Sequence, residues 1–332
     1  MLVGREKEFD LLKVSWVAGE HILLLGPVGT GKSLLVELFV KMLGEQDNYF
    51  RYLMTKYTTP EEIIGPFSFA GLKEDRYQRV LEKRFAEAVI AFLDEIFKSG
   101  SSIQNTLLTA MNERSIRNPD HIKIPLRMLV AASNEIPQGE DATAAWAFWD
   151  RFMIRTVSEN LPPNRWDELL DWKPKLQKLD LSDAVKECPT VVVDTDVKAM
   201  LVEMRRELQL KHKIVISDRR FLKSAKMLRA AAAIDGRDTC MRDDAYLLEH
   251  CWWETLNQRV IVRDVVRATI NPSLAEITRI IDSAVSLTEQ TKKNTYADEK
   301  ERINAYGTTN TQLKGMLERL SQIGGKDAKE GY

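Results

Sequence analysis

Residues Gly26-Pro27-Val28-Gly29-Thr30-Gly31-Lys32-Ser33 decide how this chain is read. They follow the apolar run Ile22 to Leu25 and open a helical pattern from Lys32 to Leu43. GxxxxGK[ST] between a strand and a helix is the pattern of a phosphate-binding loop. Each part has a physical reason. Glycines let backbone N–H groups curl around phosphate oxygens with no Cβ in the way. Amides at the helix start add positive potential. Lys32 supplies a point charge to the β- and γ-oxygens, and the Ser33 hydroxyl is a ligand for Mg²⁺.

Outward from the loop, short apolar runs alternate with helical spacing. Phe50 to Met54, Val89 to Leu93 and Met128 to Ala132 read as strands, and Ile103 to Glu113 as a helix. Fully apolar strands between helices predict an α/β fold with a parallel sheet covered on both faces. Two interruptions, Pro66 to Phe85 and Ser115 to Arg127, read as β-hairpins. After Leu161-Pro162-Pro163-Asn164 helical spacing takes over, as in Val197, Met200, Leu201, Met204 and Leu208. The expected domains are an α/β domain over 1–160, a smaller α-helical domain over 161–262 and a helical tail over 263–332. In the tail, Leu274, Ile277, Ile281, Ala284 and Val285 form one stripe. Leu313, Met316, Leu317, Leu320 and Ile323 form another, with a weak linker near Tyr306-Gly307-Thr308-Thr309. The two helices either pack back on the domain or form a docking arm for a partner.

Two strand ends carry further candidates. Asp94 and Glu95 close the run Phe92-Leu93, 62 residues after Lys32. Open α/β sheets bind ligands at the C-terminal ends of their strands. Asp94 there can hold Mg²⁺ through water, and Glu95 can polarise an attacking water. The alternative is a solvated acidic turn. Asn134 follows the strand ending at Ala132, where its amide can bond a water and a γ-phosphate together. The alternative is an Asx-type turn cap.

The 332 residues carry a formal charge of −1, with 44% hydrophobic and 29% charged residues. These values fit a globular protein, and 16 Gly with 11 Pro exclude collagen-like and low-complexity chains. The near-zero charge weighs against a life on nucleic-acid phosphates, although Arg114, Arg117 and Lys123 sit together in the second expected hairpin. Apolar stretches such as Ala144 to Trp149 are far short of a membrane span. Cys188, Cys240 and Cys251 are odd in number and form no CxxC, so a reducing, cytoplasmic setting is expected. Their spacing with His250 matches no zinc pattern.

The phosphate loop, the LDE run, the strand-end Asn134 and Asp150-Arg151-Phe152 together resemble the AAA+ ATPase order. The strings Tyr52 to Lys73 (YLMTKYTTPEEIIGPFSFAGLK) and Phe92 to Asn118 (FLDEIFKSGSSIQNTLLTAMNERSIRN) resemble the MoxR branch, and within it the RavA-type regulatory ATPases. The likeness runs from Val3 to Trp253 and includes Ser217 to Phe221 (SDRRF). It implies a P-loop AAA+ module with a helical lid, ATP and Mg²⁺ as ligands, and ATP hydrolysis. Gly26 to Ser33 with Leu34 match Walker A, Asp94 and Glu95 Walker B, and Asn134 sensor 1. Arg151 matches the arginine finger that reaches a neighbouring subunit's γ-phosphate. Arg219 matches sensor 2, with Arg220 as the alternative. Val3 and Gly4 fall where the family contacts adenine. The resemblance further implies a homo-hexameric ring, a protein client and a von Willebrand factor A partner. A nucleic-acid motor is the alternative. On the bland side, Arg151 pairs with Asp150 or Glu159, and Arg219 with Asp218.

Overall fold

A computed structural model describes residues 2–137, 142–174, 176–294, 296 and 298–330. The N-terminal elements are α1 (Glu6–Ala18), β1 (Ile22–Leu25), α2 (Lys32–Leu43), β2 (Tyr49–Leu53), α3 (Pro60–Ile64) and α4 (Phe69–Lys73). Then come β3 (Ile90–Asp94), α5 (Ser101–Glu113), β4 (Ser115–Asn118), β5 (Asp120–Lys123), β6 (Met128–Ser133), α6 (Ala142–Trp149) and β7 (Ile154–Val157). Five strands form one sheet in the order β2-β3-β6-β1-β7, every pair parallel. All four residues of β1 and all six of β6 are buried, as runs without a polar face require. The α/β reading of the sequence is what the backbone adopts.

The second interruption is a hairpin: β4 and β5 pair antiparallel around Pro119. The first is not. Only an isolated antiparallel bridge, Phe67 with Arg79, ties its base, and a helical turn fills it. Ser68 caps that turn by accepting from the Gly71 N–H at 3.2 Å, so a short helix wins over a second strand.

Contacts divide the chain into two compact units, Met1–Lys198 with Ile216–Glu254, and Ala199–Val215 with Thr255–Tyr332. The cuts differ from the expected boundaries at 160 and 262. After β7 the first unit holds α7 (Trp166–Leu170), α8 (Ser182–Glu187), the start of α9 (Thr195–His212) and α10 (Asp218–Ile234). There α10 packs on α1, α8 on both, and the 3₁₀ stretch Arg242–His250 on α10 and β7. The second unit contains α11 (Leu256–Ile270), α12 (Pro272–Lys293) and α13 (Glu299–Glu330), with α12 packed against both neighbours. Helix α13 runs unbroken through Gly307, so no linker lies at 306–309 and the chain leaves α12 after Lys293 instead. The side chains of Leu274 and Ile323 lie outside the described residues. No described helix is long and apolar enough to cross a membrane.

Candidate functional site

The loop 26–31 leaves β1 at its C-terminal end, between β6 and β7. The Gly26 N–H donates to Ser133 O at 3.1 Å, and the Ser158 N–H to Leu25 O at 2.7 Å. Gly26, Gly29 and Gly31 have φ of +139°, +85° and +79°. A Cβ on Gly26 would lie 2.1 Å from the Ser158 carbonyl oxygen, so only glycine fits between the two strand ends. Val28 stands out at the loop tip, and Leu34 is exposed at the helix start.

Lys32 is 7% exposed and folds back over the loop. Its ammonium donates to Gly26 O at 2.7 Å, Pro27 O at 2.9 Å, Thr30 Oγ1 at 3.4 Å and Asn134 Oδ1 at 3.4 Å. Burial lowers its pKa, against the pull of Asp94 and Glu95. Ser33 Oγ donates to Asp94 Oδ2 at 3.0 Å, and the Asp94 Oδ1 accepts the Glu95 N–H at 3.0 Å. Asn134 Nδ2 donates to Glu95 Oε1 at 2.5 Å, and Lys98 pairs with Glu95 Oε2 at 3.4 Å. Glu95 itself sits at φ +53°, a left-handed conformation rare for a side-chain-bearing residue. Lys32, Ser33, Asp94, Glu95 and Asn134, spread over 103 residues of sequence, thus form one continuous hydrogen-bonded set.

The residues fit a nucleotide and a hard cation. The loop curls around a glycine cradle with an ammonium directed at its own carbonyls, an arrangement suited to phosphate oxygens. The all-oxygen pair Ser33 and Asp94 suits Mg²⁺, which prefers oxygen ligands. Among the described residues no other group of His, Cys, Asp and Glu could hold a metal, and the three cysteines are free and buried.

Val3 and Gly4 lie in sequence between Leu2 and Arg5, the two residues that reach the loop and that the sequence did not single out. A Cβ on Gly4 would lie 2.0 Å from Leu161 Cδ2, and one on Gly31 3.0 Å from Leu2 Cδ2. Arg5 is 6% exposed; its guanidinium donates to Thr30 O at 2.7 Å, Gly4 O at 2.9 Å and Glu159 O at 2.5 Å. It ties the N-terminal segment, the phosphate loop and the chain after β7 together. No local pattern marks it, because one accepting carbonyl is 154 residues away.

Arg151 and Arg219 are elsewhere. The turn 150–153 precedes β7 and sits at the N-terminal end of the sheet, where the Met153 N–H donates to His21 O at 3.1 Å. Four strand residues at the usual rise separate that end from the phosphate loop, about 13 Å. Asp150 gathers three guanidinium groups there: Arg219, Arg220 at 2.9 Å and Arg151 at 3.5 Å. Burial alone would raise the Asp150 carboxyl, but Arg220, Arg219 and Arg155 outweigh it and hold it below the ordinary carboxylate range. The Arg219 side chain is 44% exposed and that of Arg220 6%, so the adjacent arginines are not equivalent. The structure thus brings Arg151 and Arg219 together and keeps both away from their own chain's phosphate loop.

Residues 1–194 match the family model described as the MoxR domain in the MoxR-vWA-beta-propeller ternary systems. The chain belongs to the MoxR family of AAA+ proteins. A model described as an AAA lid domain matches residues 196–266 of this MoxR chain. Protein MJ0079 of Methanocaldococcus jannaschii, itself uncharacterised, is 37% identical over 79% of this chain and 70% of its own length. Chaperone MoxR1 of Mycobacterium tuberculosis is 28% identical over 35% of this chain and 29% of its own. A crystal structure described as a candidate ATPase from Cytophaga hutchinsonii shares the fold, with a TM-score of 0.64 and 20% identity over 80% of this chain and 90% of that one.

Proposed function

We propose that this MoxR-family chain binds ATP with Mg²⁺ and hydrolyses it within a homo-oligomeric, hexamer-sized ring that remodels a protein partner. The observation that carries the reading is the continuous set Lys32–Asn134–Glu95–Asp94–Ser33 around a glycine cradle. On this reading each member has a role in in-line phosphoryl transfer to water. Lys32 and the loop amides bind the phosphates. Ser33 and, through water, Asp94 would hold Mg²⁺, which would neutralise charge on the phosphate oxygens. Glu95 orients the attacking water and accepts its proton, and Asn134 fixes the Glu95 carboxylate. Val3 and Gly4, with Leu2, Arg5 and Leu161, shape the base side.

Arg151 and Arg219 gather on Asp150 before the start of β7, at the end of that strand away from their own loop, which supports a reading in trans. Both present to the nucleotide of an adjoining copy, where an arginine contributes about 10³–10⁵ in rate. On that reading the chain works in a ring or filament of copies. The nucleic-acid alternative finds no support, since its cations already have internal partners. Arg114 donates to Gly19 O at 2.7 Å, Lys123 to Glu113 O at 3.0 Å and Arg117 to Pro119 O at 3.3 Å. Kinship with RavA-type members rests on Tyr52 to Lys73 and Phe92 to Asn118. The matched family model supports a von Willebrand factor A and β-propeller partner pair.

The test is an ATPase assay joined to capture with Glu95→Gln in ATP and Mg²⁺. Turnover by the unaltered chain, and retention by the variant of a von Willebrand factor A protein released with ADP, are the expected results. No turnover at any protein concentration would overturn the reading.

A further inference from the structure

The turn 150–153 joins α6 to β7 without regular structure of its own. Its donors are satisfied from α6: the N–H groups of Asp150, Arg151 and Phe152 reach Trp146 O at 3.0 Å, Phe148 O at 3.0 Å and Trp149 O at 3.2 Å. Its acceptors are satisfied from another element. Arg220, on the first turn of α10, donates to Asp150 O at 2.8 Å, Phe152 O at 3.2 Å and Met153 O at 3.2 Å. The same guanidinium reaches Asp150 Oδ1 at 2.9 Å and Cys251 O at 2.7 Å. One planar fork therefore spans five oxygens, a task no lysine ammonium can copy. Arg151 contrasts with it. Its Nε is buried without a partner, and its one described ion pair is the 3.5 Å contact with Asp150.

We propose that Arg220 is a positioning residue for Arg151: by holding the carbonyls of Asp150, Phe152 and Met153, on either side of Arg151, it sets where the Arg151 guanidinium stands, so a shift of α10 moves the finger. This rests on the reading that Arg151 serves an adjoining copy. A helix of the lid-matching segment is thereby mechanically joined to the group one subunit lends to the next. Arg219, one residue earlier on the same helix, shares Asp150 and moves with it.

The experiment uses the full chain and its Arg220→Gln, Arg220→Lys, Arg151→Ala and Lys32→Ala variants, with steady-state ATPase and binding of fluorescent mant-ADP. Arg220→Gln is expected to lower kcat at least about tenfold while its mant-ADP affinity stays within about twofold, because its own phosphate loop is untouched. Mixing it with Lys32→Ala subunits is expected to restore turnover, since those lend an intact finger to an intact loop. Arg220→Lys is expected to follow the same pattern, and it carries the comparison if Arg220→Gln does not fold. Unchanged kcat in Arg220→Gln, or a loss that Lys32→Ala subunits do not rescue, overturns the proposal. An inactive unaltered chain overturns the hydrolysis reading and this proposal with it, whereas an active chain with either result above overturns this proposal alone.

Discussion

Replacing Gly26 by alanine tests the phosphate loop through its backbone. The new Cβ would meet Ser158 O at 2.1 Å, its carbonyl carbon at 3.1 Å and its nitrogen at 3.4 Å, all backbone atoms. Ser158 cannot step aside, because its N–H is bonded to Leu25 O at 2.7 Å and the next carbonyl, of Glu159, accepts from Arg5. Overpacking of this kind costs about 1–3 kcal/mol. The φ of +139° adds a second cost of about 1–3 kcal/mol for a residue with a Cβ. Together they amount to about 2–6 kcal/mol, and at about 2–4 °C per kcal/mol the melting temperature should fall by about 4–24 °C. Gly29→Ala is the control: it has φ +85° but nothing within 4 Å of the new Cβ, so it carries the strain alone. Thermal unfolding by near-ultraviolet circular dichroism separates the two. Equal melting temperatures for the two variants, or Gly26→Ala within about 2 °C of the unaltered chain, would refute the reasoning.

Glu95→Gln keeps an oxygen for Asn134 but cannot take a proton, so kcat should drop about 10²–10⁴-fold with nucleotide affinity retained; coupled-enzyme turnover and mant-ADP binding check this. Arg151→Ala and Lys32→Ala should each be inactive alone and regain turnover when mixed, and no recovery at any ratio would count against a finger acting between copies. Glu20 is 5% exposed and paired with Lys223 at 2.6 Å and Lys226 at 3.0 Å. Burial raises its pKa, but the two lysines outweigh burial and hold it below the ordinary carboxylate range. A lowered folded pKa means stability fully present above the unfolded pKa and lost as pH falls through the folded one. Glu20→Gln should therefore lower stability at pH 7 by about 1–2 kcal/mol, the lysines being partly exposed, and flatten the acid side of the denaturation profile.

What was legible in the sequence was what is local. β1, β3 and β6 are uninterrupted apolar runs ending at a glycine or at Asp94 and Ser133, so their identity and their functional ends could be read together. β7 escaped because Ile-Arg-Thr-Val places a charge in the strand. That arginine, Arg155, is fully buried between Trp149 and Trp253, 5.4 and 5.5 Å from their ring centroids. Gly307 read as a break, but helix α13 carries it, because one glycine costs a helix only about 1 kcal/mol. The phosphate side of the site was readable from spacing. The roles of Arg5, Asp150 and Arg220 were not, since the carbonyls that Arg5 and Arg220 bind and the guanidinium groups of Arg219 and Arg220 at Asp150 are brought near only by the folded chain. Arg151 pairs with Asp150, one of the two partners its bland alternative named, and the same carboxylate also pairs with Arg219, whose expected partner was Asp218.

β7 has a consequence of its own. It is the last strand of the sheet, bonded on one side to β1, with Gly26 pressed against its far end and the Arg220-held turn at its near end. An extended backbone cannot shorten, so β7 holds Ser158 and the turn 150–153 at a fixed separation. If Arg151 serves an adjoining copy as proposed, the four residues of β7 are the shortest covalent path between the pocket a subunit fills for itself and the charge it lends onward.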